Sequence, residues 1–368
     1  MEVKFLDLFS QTKSIRTKIL NSIIKNIKES NFIGGKDLIN FEKNFSKFLS
    51  IKYCLGVANG TDALEIAIKS LNLKKNSEVI IPVNTWISAA EAVINTGLKI
   101  KFCDIDETHN MCPKDLELKI NKNTSAVIVV HLYGNPARIN EIFKICKINN
   151  IKLIEDCAQG HGASVDFKKV GTFGDISTFS FFPSKNLGCF GDGGAIVTDN
   201  KKIFTLCKKI SHHGGLKKNQ HIIVGRNSRL DNIQAGILDI KLKKLNSWIQ
   251  LRSKQSSFYK KNLNNVGDIK FIQQIKNARH SNHLFVIKTK NRNKLKKYLY
   301  NKKIYTNIHY PKTLPELPVF RKQYLQRCQK MKALIVNKEI LSLPIGEHLT
   351  FKHLRYVCLE INKFFSKC

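Results

Sequence analysis

Short apolar runs alternate with amphipathic stretches between about residues 53 and 210 of the chain. Runs of this length, rich in Val, Ile and Phe, are typical of buried strands, and the stretches between them have helical spacing. The predicted strands are 54–58, 78–82, 99–104, 125–130, 152–156, 177–181 and 194–198. The predicted helices are 62–71, 88–95, 140–149 and 201–211. This alternation predicts an α/β fold with a mostly parallel sheet, whose ligands bind beyond the carboxyl ends of its strands.

The pattern changes after about residue 229. A long helical stretch over 230–262 is followed by a strand at 283–288, a helix at 291–301 and a final helix from Thr350. A single core stops growing at roughly 250 to 300 residues, and this chain has 368. We therefore predict a large domain over residues 1–245 and a smaller C-terminal α+β domain over residues 246–368.

The net charge of +34 is the one unusual feature of the composition. Such a charge alone would suggest a polyanion as partner. The lysines are spread along the whole chain, however, and no basic helix with interleaved aromatic residues is present. Nucleic-acid binding is therefore not expected as the main function, and an anionic substrate or a membrane surface fits the charge equally well.

Several kinds of targeting and binding segment are not expected. No apolar run approaches the ~18 residues that span a bilayer, and the first residues lack the order of a secretory signal. We therefore expect a soluble cytoplasmic protein without an integral membrane segment. The ten cysteines, Cys368 included, contain no C-x-x-C pair, which favours reduced core thiols and predicts no metal site.

Two residues near strand ends have side chains suited to cofactor chemistry. Lys185 lies among small residues and glycines beyond the strand at 177–181, where its amine could form a Schiff base with a cofactor aldehyde. Asp156 ends the strand at 152–156, and pyridoxal catalysis requires a carboxylate that keeps the pyridine nitrogen protonated. Each residue alone would more often be an ordinary surface group, so their combination carries the prediction.

Two further segments follow strand ends. Gly60 and Thr61 lie in a turn between a predicted strand and helix, and a helix N-terminus can bind a phosphate. Such turns also occur simply as helix caps. Trp86 follows another strand and could lie flat against a cofactor ring, although an aromatic residue there is more often part of the core.

Taken together, these motifs resemble the DegT/DnrJ/EryC1/StrS family of pyridoxal-phosphate-dependent nucleotide-sugar aminotransferases. The matching segments are FIGG (32–35), NGTDAL (59–64), HLYG (131–134), EDCAQ (155–159), GTFGD (171–175), FFPSK (181–185), NSRLD (227–231), HYP (309–311) and LSLP (341–344). The resemblance implies the fold type I, aspartate aminotransferase-like architecture of pyridoxal-phosphate-dependent transferases. The cofactor would alternate between pyridoxal 5'-phosphate and pyridoxamine phosphate.

The resemblance also implies roles for individual residues. Lys185 would bond covalently to the cofactor and move protons, and Asp156 would pair with the pyridinium nitrogen. Gln159 would lie at the ring hydroxyl, and Trp86 would stack on the ring. The presence of Lys185 argues against the dehydratase branch of the family, whose members have histidine at that position.

The phosphate site would be shared between subunits. Gly60, Thr61 and Ser180 would hold the phosphate, and the partner subunit's Asn227 would complete the site. The active site would then exist only in a homodimer.

His309 and Tyr310 are candidate substrate contacts. Arg229 is another, and it could equally hold the subunit interface together.

The resemblance predicts transfer of an amino group from glutamate, which leaves 2-oxoglutarate, to a keto-sugar carried by a nucleotide diphosphate. The segments at 131–134 and 158–163 favour a 3-keto-6-deoxyhexose over a 4-keto sugar. The expected pathway is amino-sugar synthesis for surface glycans such as the lipopolysaccharide O-antigen. A non-catalytic regulatory paralogue is the alternative from another functional class.

Overall fold

The computed structural model describes residues 1–217 and 219–366, so Cys368 and the end of the expected C-terminal domain lie outside it. The strands are β1 Tyr53–Val57, β2 Glu78–Pro82, β3 Lys99–Cys103, β4 Thr124–Val130, β5 Lys152–Asp156, β6 Ser164–Val165, β7 Lys168–Lys169, β8 Ile176–Ser180, β9 Gly194–Thr198, β10 Lys270–Phe271, β11 Ala278–Arg279, β12 Phe285–Lys288 and β13 Ile340–Leu343. The helices are α1 Leu8–Thr12, α2 Arg16–Lys28, α3 Lys36–Leu49, α4 Gly60–Ser70, α5 Ser88–Asn95, α6 Pro113–Lys119, α7 Ile139–Ile148, α8 Lys201–Ser211, α9 Asn232–Leu263, α10 Arg292–Asn301, α11 Pro318–Cys328, α12 Lys332–Val336 and α13 Phe351–Phe365. Short 3₁₀ turns occur at Lys13–Ile15, Leu132–Gly134 and Leu314–Glu316.

The central sheet has seven strands in the order β1-β9-β8-β5-β4-β2-β3. Strands β8, β5, β4, β2 and β3 run parallel to one another. Strand β9 runs antiparallel to its two neighbours, β1 and β8. Both faces are covered, so that residues along β2 and β4 are buried whichever way they point. The predicted α/β fold with a mostly parallel sheet is therefore confirmed.

The order of the strands brings two separate chain segments to one edge of the sheet. Strand β5 pairs in parallel with β8, and Asp156 at the end of β5 lies opposite Thr178. Strand β8 ends two residues later at Ser180, and the chain then turns outward. The segment that carries Lys185 therefore starts beside Asp156.

Three N-terminal helices precede the first strand and were not predicted. Helix α3 buries Phe41, Phe45 and Leu49, which recur every four residues as expected for one helical face. Phe45 contacts Phe179 and Phe181 edge-to-face, with ring centroids 5.0 and 5.5 Å apart. This helix therefore packs beneath the strand that leads to Lys185.

The long predicted helix is confirmed as α9, which has 32 residues and continues unbroken through the expected domain boundary at residue 245. Beyond it, β10, β12 and β13 form a second, three-stranded sheet. The N-terminus also reaches this region, where Val3 pairs with Ile304 and is buried. The division into two domains stays a prediction. None of the described helices is long and apolar enough to cross a bilayer.

A buried ion pair joins α9 to the loop after β13. Arg252 donates to both carboxylate oxygens of Glu347, at 2.6 and 2.9 Å, and also to the carbonyl oxygens of Asn282 and His283. Burial alone would raise the pKa of Glu347, but the Arg252 guanidinium holds it below its ordinary value. Removing one member of such a pair leaves an uncompensated charge in the interior.

We therefore predict that Glu347→Gln lowers the free energy of unfolding at neutral pH by about 3–5 kcal/mol, measured by urea denaturation. The ionised Glu347 stabilises the fold above its unfolded-state pKa, and this contribution is lost as the pH falls through the lower folded-state pKa. The difference between variant and wild type should therefore shrink at acidic pH. Asp7→Asn, at an exposed ion pair with Lys4, is the control, and an equally small effect of both changes would contradict the prediction.

Candidate active site

A cavity of about 760 Å³ opens at the carboxyl edge of the central sheet. Its lining comes from the ends of β4, β5 and β8, from the start of α4, from the segment between β2 and α5 with α5 itself, and from the segments before β12 and after α10. The predicted site residues that line it are Gly60, Thr61, Trp86, Asp156, Gln159, Ser180, Lys185, His309 and Tyr310. The fold thus brings together nine of the eleven residues that the sequence suggested.

Lys185 and Asp156 are electrostatically coupled in this cavity. Removal from water lowers the pKa of Lys185 to about 8, although the nearby Asp156 opposes the shift. Burial raises the pKa of Asp156, while the Ala158 amide, which donates to its carboxylate at 2.9 Å, and the charge of Lys185 act in the opposite direction. The lowered pKa of Lys185 increases the share of neutral amine near neutral pH, which is the nucleophilic form.

The neighbouring acid, Glu155, points away from the cavity because successive side chains of a strand alternate between faces. Its carboxylate is buried and accepts five hydrogen bonds, from the amides of Gly171, Phe173 and Gly174, the hydroxyl of Ser177 and the ring of His131. Burial would raise the pKa of Glu155, but these bonds hold it below its usual value.

His131 connects this buried acid to the backbone. Its Nδ1 accepts from the amide of Ala137 at 3.1 Å, which leaves the Nε2 hydrogen to donate to Glu155. Cys157 lies near enough to complete a possible metal-binding triad with these two residues. Because donors already surround both oxygens of Glu155, we interpret the triad as a structural support beneath Asp156.

The N-terminus of α4 forms the opposite end of the cavity. Asn59 caps the helix by accepting from the amide of Asp62 at 2.8 Å, and Thr61 Oγ1 lies 2.7 Å from Ser88 Oγ. Gly60 packs so closely on Ser180 that a Cβ at Gly60 would lie only 2.8 Å from the Ser180 Cβ. The start of α4 and the hydroxyls of Thr61, Ser88 and Ser180 therefore line this end of the cavity, which is a suitable environment for a phosphate.

A chain of hydrogen bonds orients the hydroxyl group of Tyr310. The Tyr133 amide donates to Gln159 Oε1 at 2.6 Å, which fixes the side-chain amide of Gln159. Gln159 Nε2 then donates to Tyr310 Oη at 3.0 Å. The Tyr310 hydroxyl, which lines the cavity, thus uses an acceptor position for Gln159 and keeps its own hydrogen for donation to another group. Trp86 is 60% exposed, and its ring lies 5.5 Å from that of Tyr310.

Neutral histidines also line the cavity. Burial lowers the pKa of His309 to about 4, and its Nδ1 lies 2.9 Å from the hydroxyl of Ser342. His283, which the sequence analysis did not single out, lines the same wall, and burial also lowers its pKa. At neutral pH these imidazoles are uncharged, so they can hydrogen-bond to a substrate but cannot neutralise its charge.

The basic charge of the chain is not concentrated in the cavity. The carboxylates that line it belong to Asp62, Glu65, Glu91, Asp156 and Asp192. Lys185 and Arg226 are the lysine and arginine side chains among its described lining residues. Arg226 is already paired with Asp62, at 2.9 Å, and with Glu65.

Asn227 and Arg229 are the two predicted residues that do not line this cavity. They lie in a separate depression of about 430 Å³, together with Ile33, Asp231 and Gln234 among others. Asn227 also forms an isolated antiparallel β-bridge with His212, which lies directly after α8. The role of Asn227 in a partner's active site stays a prediction.

The chain is similar to several known proteins. A family model described as the DegT/DnrJ/EryC1/StrS aminotransferase family matches residues 13–362. The dTDP-3-amino-3,6-dideoxy-alpha-D-galactopyranose transaminase of Aneurinibacillus thermoaerophilus is 35% identical over 365 residues, 98% of this chain and 99% of the relative. A protein of Geobacillus stearothermophilus named pleiotropic regulatory protein is 34% identical over 368 residues, 99% of each chain.

A solved structure of S. venezuelae DesV, in complex with a ketimine intermediate, superimposes with a TM-score of 0.95 at 31% identity and covers 100% of this chain and 99% of that one. The fold type I assignment is therefore confirmed. Other relatives are named as transaminases or synthases of several different nucleotide sugars. The chain therefore belongs to the DegT/DnrJ/EryC1/StrS aminotransferase family and is a pyridoxal-phosphate-dependent sugar aminotransferase.

Proposed function

We propose that the chain transfers an amino group from glutamate to a nucleotide-diphosphate-linked 3-keto-6-deoxyhexose, with Lys185 and Asp156 as the catalytic residues. The observation that carries this proposal is the pairing of a lysine whose pKa is about 8 with a buried carboxylate in one cavity. A lysine on the surface would keep its charge and would be a poor nucleophile at neutral pH. The buried site therefore favours covalent chemistry at Lys185.

The residues present fit pyridoxal phosphate at three points. Lys185 offers an amine to the aldehyde, Asp156 offers a carboxylate to the ring nitrogen, and the start of α4 with Ser180 offers donors to the phosphate. The close contact between Gly60 and Ser180 leaves no room for a side chain at residue 60. These features match the reactive, electronic and anionic parts of the cofactor.

When bound, the cofactor supplies a ring that withdraws electrons from the carbon that loses a proton. Asp156 would keep the ring nitrogen protonated, because its buried carboxylate would pair with the positive charge on that nitrogen. Lys185 Nζ would take the proton from the α-carbon of the amino donor and pass it to the cofactor. In the second half of the reaction it would move a proton in the reverse direction, from the cofactor to the sugar carbon that receives the nitrogen. The ring and the substrate would be oriented by hydrogen bonds from Gln159 and Tyr310 and by stacking on Trp86.

A homodimer with shared active sites is part of the proposal. Within one chain, the charge of Arg226 is already matched by Asp62 and Glu65, so a substrate diphosphate needs further donors. Asn227 and Arg229 face a separate depression, from which they could serve the cavity of a second copy. We propose that they complete the phosphate and substrate sites there.

The 3-keto position is supported by the Aneurinibacillus relative, because the sugar in its name has an amino group at carbon 3. A 4-keto sugar is the alternative within the same family. We further propose a cytoplasmic location and a role in amino-sugar synthesis for surface glycans such as the O-antigen.

A regulatory function without catalysis is the second candidate, favoured by the name of the Geobacillus relative. A regulatory protein without catalytic activity would not require Lys185, Asp156 and the start of α4 in one cavity. The retained arrangement therefore favours the enzyme.

We predict that Asp156→Asn binds the cofactor but turns over at least about 10²-fold more slowly, because an amide does not hold the ring proton. Steady-state kinetics and the visible spectrum of the cofactor measure the two effects. Asp166→Asn, in an exposed turn, is the matched control. Full activity of Asp156→Asn would remove this residue from the mechanism.

We predict that glutamate converts the visible spectrum of the cofactor-loaded wild type to that of the pyridoxamine form. Lys185→Ala should show neither the lysine-bound spectrum nor this conversion, because no amine replaces Nζ in the cavity. Lys201→Ala, at an exposed position in α8, should behave as wild type. If the wild type bound no cofactor, the regulatory alternative would be favoured.

We also predict a preference between substrates. A nucleotide-linked 3-keto-6-deoxyhexose should give a kcat/KM at least about tenfold above that of its 4-keto isomer, since misplaced oxygens leave buried donors unpaired. Product analysis by mass spectrometry and NMR would identify the aminated carbon. A preference for the 4-keto isomer would support the alternative substrate.

A further inference from the structure

Lys241, on α9, is a buried lysine outside the cavity. Its side chain is 1% exposed, and its Nζ donates a hydrogen bond to the carbonyl oxygen of Gly188. The same Nζ lies 5.3 Å from the centre of the Phe190 ring. Burial lowers the pKa of Lys241 to about 8. A buried ammonium is costly unless it satisfies a group that needs a donor, so the contact with Gly188 requires an explanation.

Gly188 belongs to the turn that carries Lys185. The Lys185 amide donates to the Phe182 carbonyl at 2.9 Å, and the Cys189 amide donates to the Phe181 carbonyl at 2.8 Å. The turn closes tightly, since a Cβ at Gly188 would lie 2.4 Å from the carbonyl oxygen of Pro183. Any movement at Gly188 is therefore passed to the backbone on both sides of Lys185.

A second residue of α9 holds the same turn. Gln234 accepts from the amide of Phe190 at 2.8 Å and donates to its carbonyl at 3.3 Å. Gln234 and Lys241 are seven residues apart, which places them on one face of the helix two turns apart. Helix α9 thus contacts the turn at two points, one at Gly188 and one at Phe190.

We propose that Lys241 is a positioning residue for Lys185. Its ammonium fixes the Gly188 carbonyl against α9, and the turn over residues 182–191 then presents the Lys185 amine toward Asp156. This inference rests on the proposed catalytic role of Lys185. Lys241 is not among the residues that line the cavity, so it acts only through the backbone of the turn.

The test compares Lys241→Met with Gln255→Met. Gln255 lies on the same helix and also bonds buried backbone groups, but those belong to Gly346 and Leu349, away from the turn. Both variants should lose stability. Lys241→Met alone should speed hydrogen exchange at the Lys185 and Cys189 amides by at least about tenfold in the cofactor-free protein, since local opening becomes easier.

The spectrum of the loaded enzyme provides a second readout. Lys241→Met should shift the pH midpoint at which the visible spectrum of the lysine-bound cofactor changes. It should also lower kcat by a larger factor than it raises KM. Gln255→Met should change neither the pH midpoint nor this balance of kcat and KM. If Lys241→Met does not fold, Gln234→Met should show the same changes in the turn.

Equal exchange rates and equal pH midpoints in the Lys241→Met and Gln255→Met variants would overturn the inference and leave Lys241 a purely structural residue. The proposed function fails separately, if the wild type itself shows no lysine-bound cofactor.

Discussion

The parallel pairing of β5 with β8 is the constraint on which the rest of the site depends. It places the end of Asp156's strand beside the strand that leads to Lys185, although 29 residues separate the two in the sequence. The carboxyl ends of parallel strands lie at the same edge of a sheet. Asp156 and the start of the segment that carries Lys185 are therefore neighbours at that edge. Burial then acts on both groups together and moves their pKa values toward each other.

Buried polar residues support chain segments beside the cavity. Glu155 fixes the segment around Gly171–Gly174 beneath Asp156, and Arg252 and Glu347 join α9 to the loop after β13. Helix α9 also supports the turn that carries Lys185. The long helix thus connects the catalytic edge of the central sheet to the region of the second sheet, whichever residue marks the boundary between domains.

Much of the central sheet and of the candidate site could be predicted from the sequence, because the signals for them lie in short stretches of the chain. The strand ends at Asp156 and the turn at Lys185 are visible as an apolar run followed by small or acidic residues, and the alternating pattern predicts a parallel sheet. Helix α3 was not predicted although Phe41, Phe45 and Leu49 carry its signal, because no strands alternate with the N-terminal helices. The contact of Lys241 with Gly188, across 53 residues, depends on tertiary packing and has no local signal. The orientation of Tyr310 was likewise beyond sequence reasoning, since it depends on the Tyr133 amide at a positive φ of 64°.

The proposed chemistry requires that Lys185, in a chain with 62 lysine and arginine residues, is the residue that bonds to the cofactor. Borohydride reduction of the loaded protein, followed by peptide mass spectrometry, tests it directly. We expect one stoichiometric phosphopyridoxyl group on Lys185. A label on another lysine, or scattered substoichiometric labelling, would contradict the assignment of Lys185.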